Sequence, residues 1–134
     1  MEFASLGTND LTQYAMAADR QLGPLAALNN PWQPAVLMLI GLTVAGSEAE
    51  GHNKPVGVCG EAAADPALAV VLTGLGVSSL SMTPRALAAV GAVLKSVTLA
   101  QAQDLARLAL AAPSATEAQA RVRAKLPILD TLGV

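Results

Sequence analysis

Four small polar or flexible residues, Gly7, Thr8, Asn9 and Asp10, stand side by side near the start of the chain. They directly follow residues 3–6 (Phe-Ala-Ser-Leu), a largely apolar run. The Asp10 carboxylate is a hard oxygen ligand of the kind that binds Mg²⁺, and the Thr8 hydroxyl and Asn9 amide can donate to a phosphate. Asp10 could instead be the N-cap of a following helix, because aspartate is a preferred capping residue. The stretch by itself leaves a metal and phosphate site and ordinary turn chemistry both open.

A second candidate is Cys59, the single cysteine, which stands in the run Val-Gly-Val-Cys-Gly-Glu. Flanking glycines let the backbone approach a ligand, and a thiol can give up a proton. A lone cysteine can also be a small buried hydrophobe. Arg20, next to Asp19, could bind a phosphate or could be a solvated surface charge. Cys59 and Arg20 are therefore candidate site residues, and each of them also has a purely structural interpretation.

Short β-type runs that alternate with helical stretches must position these residues. Strands are predicted over residues 2–6, 55–59 and 78–82, and helices over 11–18, from 34 to about 50, from 66 onward and from 84 to about 96. Residues 20–34 are rich in Gly, Pro and Asn and are predicted to form a loop. The sequences at 98–101 and 114–117 are capping boxes that open two more helices. This order predicts an α/β fold with a parallel sheet.

In such folds the chemistry lies at the carboxyl ends of the strands, in the connections that lead into helices. The turn at residues 7–10 follows the first predicted strand, and the turn at 59–61 follows the second. Neighbouring parallel strands would bring both turns to the same edge. We therefore expect the two turns to share one site.

The composition sets the class of protein. A chain of 134 residues that is 53% hydrophobic and 13% charged can fold as one domain over residues 1–134. No basic patch with aromatic residues and no basic amphipathic segment occurs, so neither nucleic acid nor a membrane is an expected partner. The longest apolar stretch, residues 35–46, is too short to span a bilayer, and the amino terminus carries no export signal. Together with the single cysteine, these features predict a cytoplasmic protein.

Four segments resemble, in order and at matching separations, the carboxyl-terminal part of Enzyme I of the bacterial phosphoenolpyruvate:sugar phosphotransferase system. They are FASLGTNDLTQYAMAADR, NNPWQPAVLMLI, KPVGVCGEAAADP and SSLSMTP. The resemblance covers about residues 3–94, and the tail from Thr98 is less distinctive. Pyruvate phosphate dikinase and phosphoenolpyruvate synthase share the Asn-Asp and Cys-Gly elements and are the alternative. The segments NNPWQPAVL and CGEAAADP are closer to Enzyme I.

The resemblance implies an enzyme, a phosphoenolpyruvate-protein phosphotransferase. Its (β/α)8 TIM-type barrel binds phosphoenolpyruvate and Mg²⁺, releases pyruvate and passes the phosphoryl group to a histidine on a separate amino-terminal domain, which serves a phosphocarrier protein. The site residues that the resemblance implies are Asp10 as the Mg²⁺ ligand, Asn9 and Arg20 on the phosphoryl group, Gly7 and Thr8 in shaping the substrate-binding turn, and Cys59 as the acid that protonates the enolate.

The resemblance also implies that the chain is a partial domain, about three βα units of the eight in such a barrel plus extra carboxyl-terminal helices. A second metal-binding carboxylate, a glutamate, and further phosphate-binding arginines would precede Met1, so the chain alone is expected to be inactive. Three strands cannot close a barrel, which would leave sheet edges and apolar helix faces uncovered. We therefore expect a homodimer or larger assembly, and a non-catalytic dimerisation module is a further alternative.

Overall fold

The computed structural model describes residues 1–49, 51 and 53–134. The elements that it describes are, in chain order, β1 (Ala4–Gly7), α1 (Thr8–Met16), a 3₁₀ helix (Gly23–Asn29), α2 (Pro34–Ala49), β2 (Val56–Cys59), α3 (Glu61–Ala64), α4 (Pro66–Gly74), β3 (Ser79–Ser81), α5 (Pro84–Lys95), α6 (Leu99–Leu110), α7 (Ala115–Arg123) and α8 (Ile128–Leu132). Glu50, where α2 is predicted to end, lies outside the described residues.

The strands form one parallel sheet in the order β1-β2-β3. At the carboxyl ends, the register pairs Gly7 with Cys59 and Cys59 with Ser81. Within the described part of the chain, β1 and β3 each have a single strand neighbour, so the sheet is open on both sides. The predicted mixed α/β fold with a parallel sheet is confirmed.

The two faces of this sheet carry different residue types, because successive side chains of a strand point to opposite faces. One face packs into the hydrophobic core through Ala4, Leu6, Val56, Val58 and Leu80. The other face is half-buried or exposed and carries only small residues, which are Ser5, Gly7, Gly57, Cys59, Ser79 and Ser81. Helices therefore cover the sheet from one side.

Helix α4 lies at the centre of the core, where residues 67–72 are all buried. Gly74 at its end allows α6 to pack directly against it, since a Cβ at this position would overlap the backbone of Ala102. The core is built mainly from Ala, Val and Leu, together with Trp32 and Ile40, in line with the near absence of other aromatic residues. No single described helix is both long and apolar enough to cross a membrane. Helices α5 and α6 would be long and apolar enough only when taken together, and they are bent by 106° relative to each other.

Asp65 joins the start of α4 to the segment before α2. Its Oδ1 accepts hydrogen bonds from the backbone N–H groups of Ala67 and Leu68, as predicted for the N-cap. Its Oδ2 accepts a hydrogen bond of 2.9 Å from Nε1 of Trp32, which is only 1% exposed. One carboxylate therefore satisfies both a helix terminus and a buried indole.

The first helix begins earlier than predicted. α1 starts at Thr8, directly after β1, so that Asp10 is its third residue, and Gly7 is the N-cap with no side-chain capping bond. The alternative interpretation of Asp10 as the N-cap is therefore wrong, because a capping side chain must stand before the first helical residue. Residues 8–10 form the first turn of a helix and not a separate polar turn.

Other local predictions differ in detail. The segment predicted as a loop contains the 3₁₀ helix, because Pro24 suits a first helical turn and the Leu-Ala-Ala-Leu that follows favours helical geometry. The capping box at Thr98 is complete. At Ser114 only the serine half forms, and the Glu117 carboxylate pairs with Arg121 at 3.0 Å. Helices α3 and α8 are too short to be visible as periodic patterns.

Candidate functional site

The carboxyl ends of β1 and β2 bring the two glycine-containing segments into contact. Gly7 and Cys59 are direct register partners in the sheet. The Thr8 hydroxyl, one residue later, donates a hydrogen bond of 3.0 Å to the backbone carbonyl of Cys59. The expected proximity of residues 7–10 to residues 59–61 is therefore confirmed.

Gly60 lies beside the first turn of α1. Its backbone has φ +100° and ψ −163°, a region that is essentially restricted to glycine. A Cβ at this position would lie 3.2 Å from Oγ1 of Thr8 and 3.6 Å from Oδ1 of Asn9. The backbone conformation thus requires glycine here, and a Cβ would in addition press on the Thr8 hydroxyl. The sequence pointed to Gly60 only as a flank of Cys59, since neither its backbone angles nor its neighbours are local properties.

Cys59 is held at the end of β2 by both its main chain and its side chain. It is half-buried, and its Sγ lies 3.6 Å from the carbonyl oxygen of Leu6, to which the thiol can donate. Its own carbonyl accepts the bond from Thr8. The thiol therefore lies on the small-residue face of the sheet, at the junction of β1 with α1.

Asn9 and Asp10 occupy the first turn of α1, where unpaired backbone N–H groups and the helix dipole favour anions. Asn9 is half-buried and lies beside Gly60, whereas Asp10 is exposed. The Asp10 Oδ2 lies 3.6 Å from the point that a Cβ on Gly7 would occupy, so the carboxylate folds back over the end of β1. An amide and a carboxylate are thus available beside the Cys59 turn.

At this junction the described residues offer two exposed carboxylates, Asp10 in the first turn of α1 and Glu61 directly after Gly60, and the resemblance assigns the metal to Asp10. Within residues 1–49, 51 and 53–134, no three His, Cys, Asp or Glu side chains are grouped closely enough to bind a metal. Mg²⁺ is usually held by one or two carboxylates, and waters and substrate phosphate oxygens complete its coordination. The donor set therefore fits a Mg²⁺ ion shared with a phosphorylated substrate, and does not fit a metal enclosed by the described residues alone.

Arg20 lies beyond the carboxyl end of α1, in a segment that turns back along the helix. The left-handed conformation of Ala17 (φ +50°) reverses the chain, and the backbone N–H of Arg20 donates to Oε1 of Gln13 at 3.1 Å. Asp10 and the returning segment line one cleft of about 320 Å³, with Gln13, Tyr14, Ala17, Ala18 and Asp19. The described contacts include no hydrogen bond or ion pair from the exposed Arg20 guanidinium to Asn9 or Asp10. Arg20 therefore lies at the margin of this cleft, and its guanidinium has no described contact with Asn9 or Asp10.

A larger groove of about 640 Å³ lies between α6 and the connection from α7 to α8. Its walls are mainly apolar, with Val97, Leu105, Leu108, Leu126 and Ile128, and it contains none of the candidate residues. The contact between the two glycine-containing segments is therefore the stronger candidate for chemistry.

Comparison with known proteins shows the family to which the chain belongs. A family model described as "PEP-utilising enzyme, PEP-binding domain" matches residues 1–99. A phosphoenolpyruvate-protein phosphotransferase of Streptomyces coelicolor is 56% identical over 126 residues, which cover 94% of this chain and 22% of the relative. A multiphosphoryl transfer protein of Xanthomonas campestris is 48% identical over 89% of the chain and 14% of the relative. A protein of Escherichia coli named phosphoenolpyruvate-dependent phosphotransferase system is 40% identical over 92% of the chain and 16% of the relative. The chain thus spans at most about a fifth of the length of these relatives.

Proposed function

Since the chain belongs to the family of phosphoenolpyruvate-utilising enzymes, through their phosphoenolpyruvate-binding domain, we propose that it forms part of the phosphoenolpyruvate- and Mg²⁺-binding site of a phosphoenolpyruvate-protein phosphotransferase. The family match confirms the resemblance to Enzyme I that the motifs indicate. The names of the three relatives favour this function over that of a dikinase or synthase. The observation that carries the proposal is the contact of the first turn of α1, through Thr8 and Asn9, with the Cys59–Gly60 turn.

The first turn of α1 would bind the phosphoryl group. The Asn9 amide can donate to a phosphoryl oxygen, and the free N–H groups at the helix start favour its negative charge. Asp10 would hold Mg²⁺ together with substrate oxygens, and the bound ion would neutralise charge that develops during transfer. Arg20 would reach the same group from the margin of the cleft. These roles suit phosphoryl transfer, which depends mainly on positioning and charge neutralisation.

Cys59 would complete the reaction. Removal of the phosphoryl group from phosphoenolpyruvate leaves the enolate of pyruvate, whose methylene carbon must take up a proton. The Cys59 thiol lies beside the phosphoryl-binding turn and can supply that proton. The C–H bond forms as the S–H bond breaks, and the thiolate then recovers a proton from water. The first turn of α1 would thus act in phosphoryl transfer, and Cys59 would act in the protonation that follows.

We further propose that residues 1–134 belong to a (β/α)8 barrel, as a partial domain of about three βα units with extra helices. A parallel sheet covered by helices on one face supports this, because in such barrels the helices form an outer ring. The exposed side chains of Met38, Leu39 and Leu42 on α2 support a homo-oligomer, since such apolar surfaces favour association. A phosphocarrier protein would receive the phosphoryl group through a histidine-bearing domain elsewhere in the enzyme.

Alanine substitutions in the intact enzyme that carries this chain test the proposed roles. We expect Asp10→Ala to abolish Mg²⁺-dependent phosphoryl transfer and to leave the fold intact, because a ligand is lost from an exposed position. Asp130→Ala is the matched control, since Asp130 is also an exposed carboxylate at the third position of a helix, α8, and should keep full activity. Full activity in Asp10→Ala would reject the proposed metal ligand.

Cys59→Ala tests the second step separately. We expect the enzyme to become phosphorylated in a single turnover while the appearance of pyruvate slows strongly, because the enolate has lost its acid. Phosphoenzyme and pyruvate are measured in the same quenched samples. Pyruvate formation at the normal rate would show that Cys59 is structural.

A further inference from the structure

We propose that Thr8 is a positioning residue that sets the location of Cys59 relative to the phosphoryl-binding turn, an inference that rests on the acid role proposed for Cys59. The Thr8 side chain is only 1% exposed. Its hydroxyl donates to the Cys59 carbonyl at 3.0 Å, across 51 positions of sequence. The single proton of this buried hydroxyl is thus committed to the neighbouring strand.

The surroundings of Thr8 leave its side chain little freedom. Its carbonyl accepts a hydrogen bond of 2.6 Å from the Thr12 hydroxyl, which is itself 2% exposed. A threonine has few χ1 conformations in a helix, and the bond to Cys59 selects the direction of Oγ1 among them. The Gly60 backbone passes close enough that a Cβ there would lie 3.2 Å from this oxygen. The hydroxyl thus borders the space that the absent side chain of Gly60 leaves open.

The position of Thr8 in the chain gives this bond its consequence. Asn9 and Asp10 follow it directly in the same helical turn, and Cys59 accepts its hydrogen bond from the adjacent strand. One hydrogen bond therefore links the groups proposed for phosphoryl transfer to the group proposed for protonation. Loss of the bond would let the Cys59–Gly60 turn move while Asn9 and Asp10 stay in place. The protonation step should then suffer more than the transfer step.

The test compares variants of Thr8 in the intact enzyme. Thr8→Val removes the donor and keeps the shape, Thr8→Ala removes the donor without adding a methyl group, and Thr8→Ser keeps the hydroxyl. Thr73→Val is the matched control, because the Thr73 hydroxyl bonds within α4, to the carbonyl of Ala69 at 2.8 Å. The readouts are the alkylation rate of Cys59 by iodoacetamide, resolved by peptide mass spectrometry, and single-turnover rates of enzyme phosphorylation and pyruvate formation.

We expect Thr8→Val and Thr8→Ala to raise Cys59 alkylation roughly two- to tenfold, the range that corresponds to loss of one typical hydrogen bond. Pyruvate formation should slow by a similar factor, and phosphorylation should stay within about twofold of its original rate. Thr8→Ser should restore both readouts, and Thr73→Val should change neither.

Unchanged alkylation and pyruvate formation in both donor-free variants would overturn the inference. An equal loss of phosphorylation would also overturn it, because Thr8 would then act on the phosphoryl group. Failure of Thr8→Ser to restore the rates would show that the methyl group matters and not the hydroxyl. If donor-free variants alter alkylation while Cys59→Ala still forms pyruvate normally, the positional link stands and the acid role proposed for Cys59 fails.

Discussion

Gly60→Ala tests whether the approach of the Cys59 turn to α1 depends on glycine. The residue has φ +100° and ψ −163°, where an alanine would be strained by about 1–3 kcal/mol. The new Cβ would lie 3.2 Å from Oγ1 of Thr8, so the hydroxyl would have to shift. That shift weakens a hydrogen bond to Cys59 worth about 0.5–1.5 kcal/mol. The free energy of unfolding should therefore fall by about 2–4 kcal/mol.

Gly46→Ala is the matched control for this substitution. Gly46 lies in α2, and a Cβ there would meet no heavy atom within 4 Å. Alanine is the better helix former, so this variant should be more stable by about 0.5–1 kcal/mol. The two glycines are thus expected to respond in opposite directions.

Urea unfolding of the 134-residue chain measures both effects. Trp32 is the single tryptophan and is 1% exposed, so its fluorescence reports loss of the core. All variants are compared at one protein concentration, because association is coupled to apparent stability. A Gly60→Ala midpoint equal to that of the parent chain, with an unchanged denaturant slope, would refute the argument that backbone strain and crowding require glycine.

Three further predictions concern packing, capping and assembly. Gly74→Ala should lower the free energy of unfolding by about 3 kcal/mol, because its Cβ would overlap the backbone of α6. Gly91→Ala is the control and should stabilise α5, since a Cβ at Gly91 would meet open space. A urea midpoint for Gly74→Ala at or above that of the parent chain would contradict this prediction. Asp65→Ala should lower the free energy of unfolding by about 2–4 kcal/mol, since a helix cap is lost and the indole N–H of Trp32 is left buried without an acceptor. A loss below about 1 kcal/mol in the same urea titration would mean that the indole bond contributes nothing. The chain should sediment as a dimer or larger species at micromolar concentration and show no phosphotransferase activity alone, and a well-folded monomer or measurable turnover would contradict these expectations.

Several elements could be predicted because their signals are local. Pro34 starts α2, Asp65 caps α4, and Thr98 with Gln101 forms a complete capping box, each through contacts within about four residues. The alternation of strand and helix signals likewise predicts a parallel sheet, because parallel strands need a crossover between them. The candidate residues Asp10 and Cys59 were found in the same way, from residue type and neighbours in sequence.

The tertiary structure alone decided how these elements meet. The bond from Thr8 to Cys59 and the indole bond from Trp32 to Asp65 join residues 51 and 33 positions apart, and no local pattern encodes them. The register of β1 against β2 places Gly7 opposite Cys59, and a shift by one residue would turn the buried side chains of β2 to the other face. The sequence thus determined which groups end each strand, whereas packing of the apolar sheet face against the helices determined that those groups come within hydrogen-bonding distance.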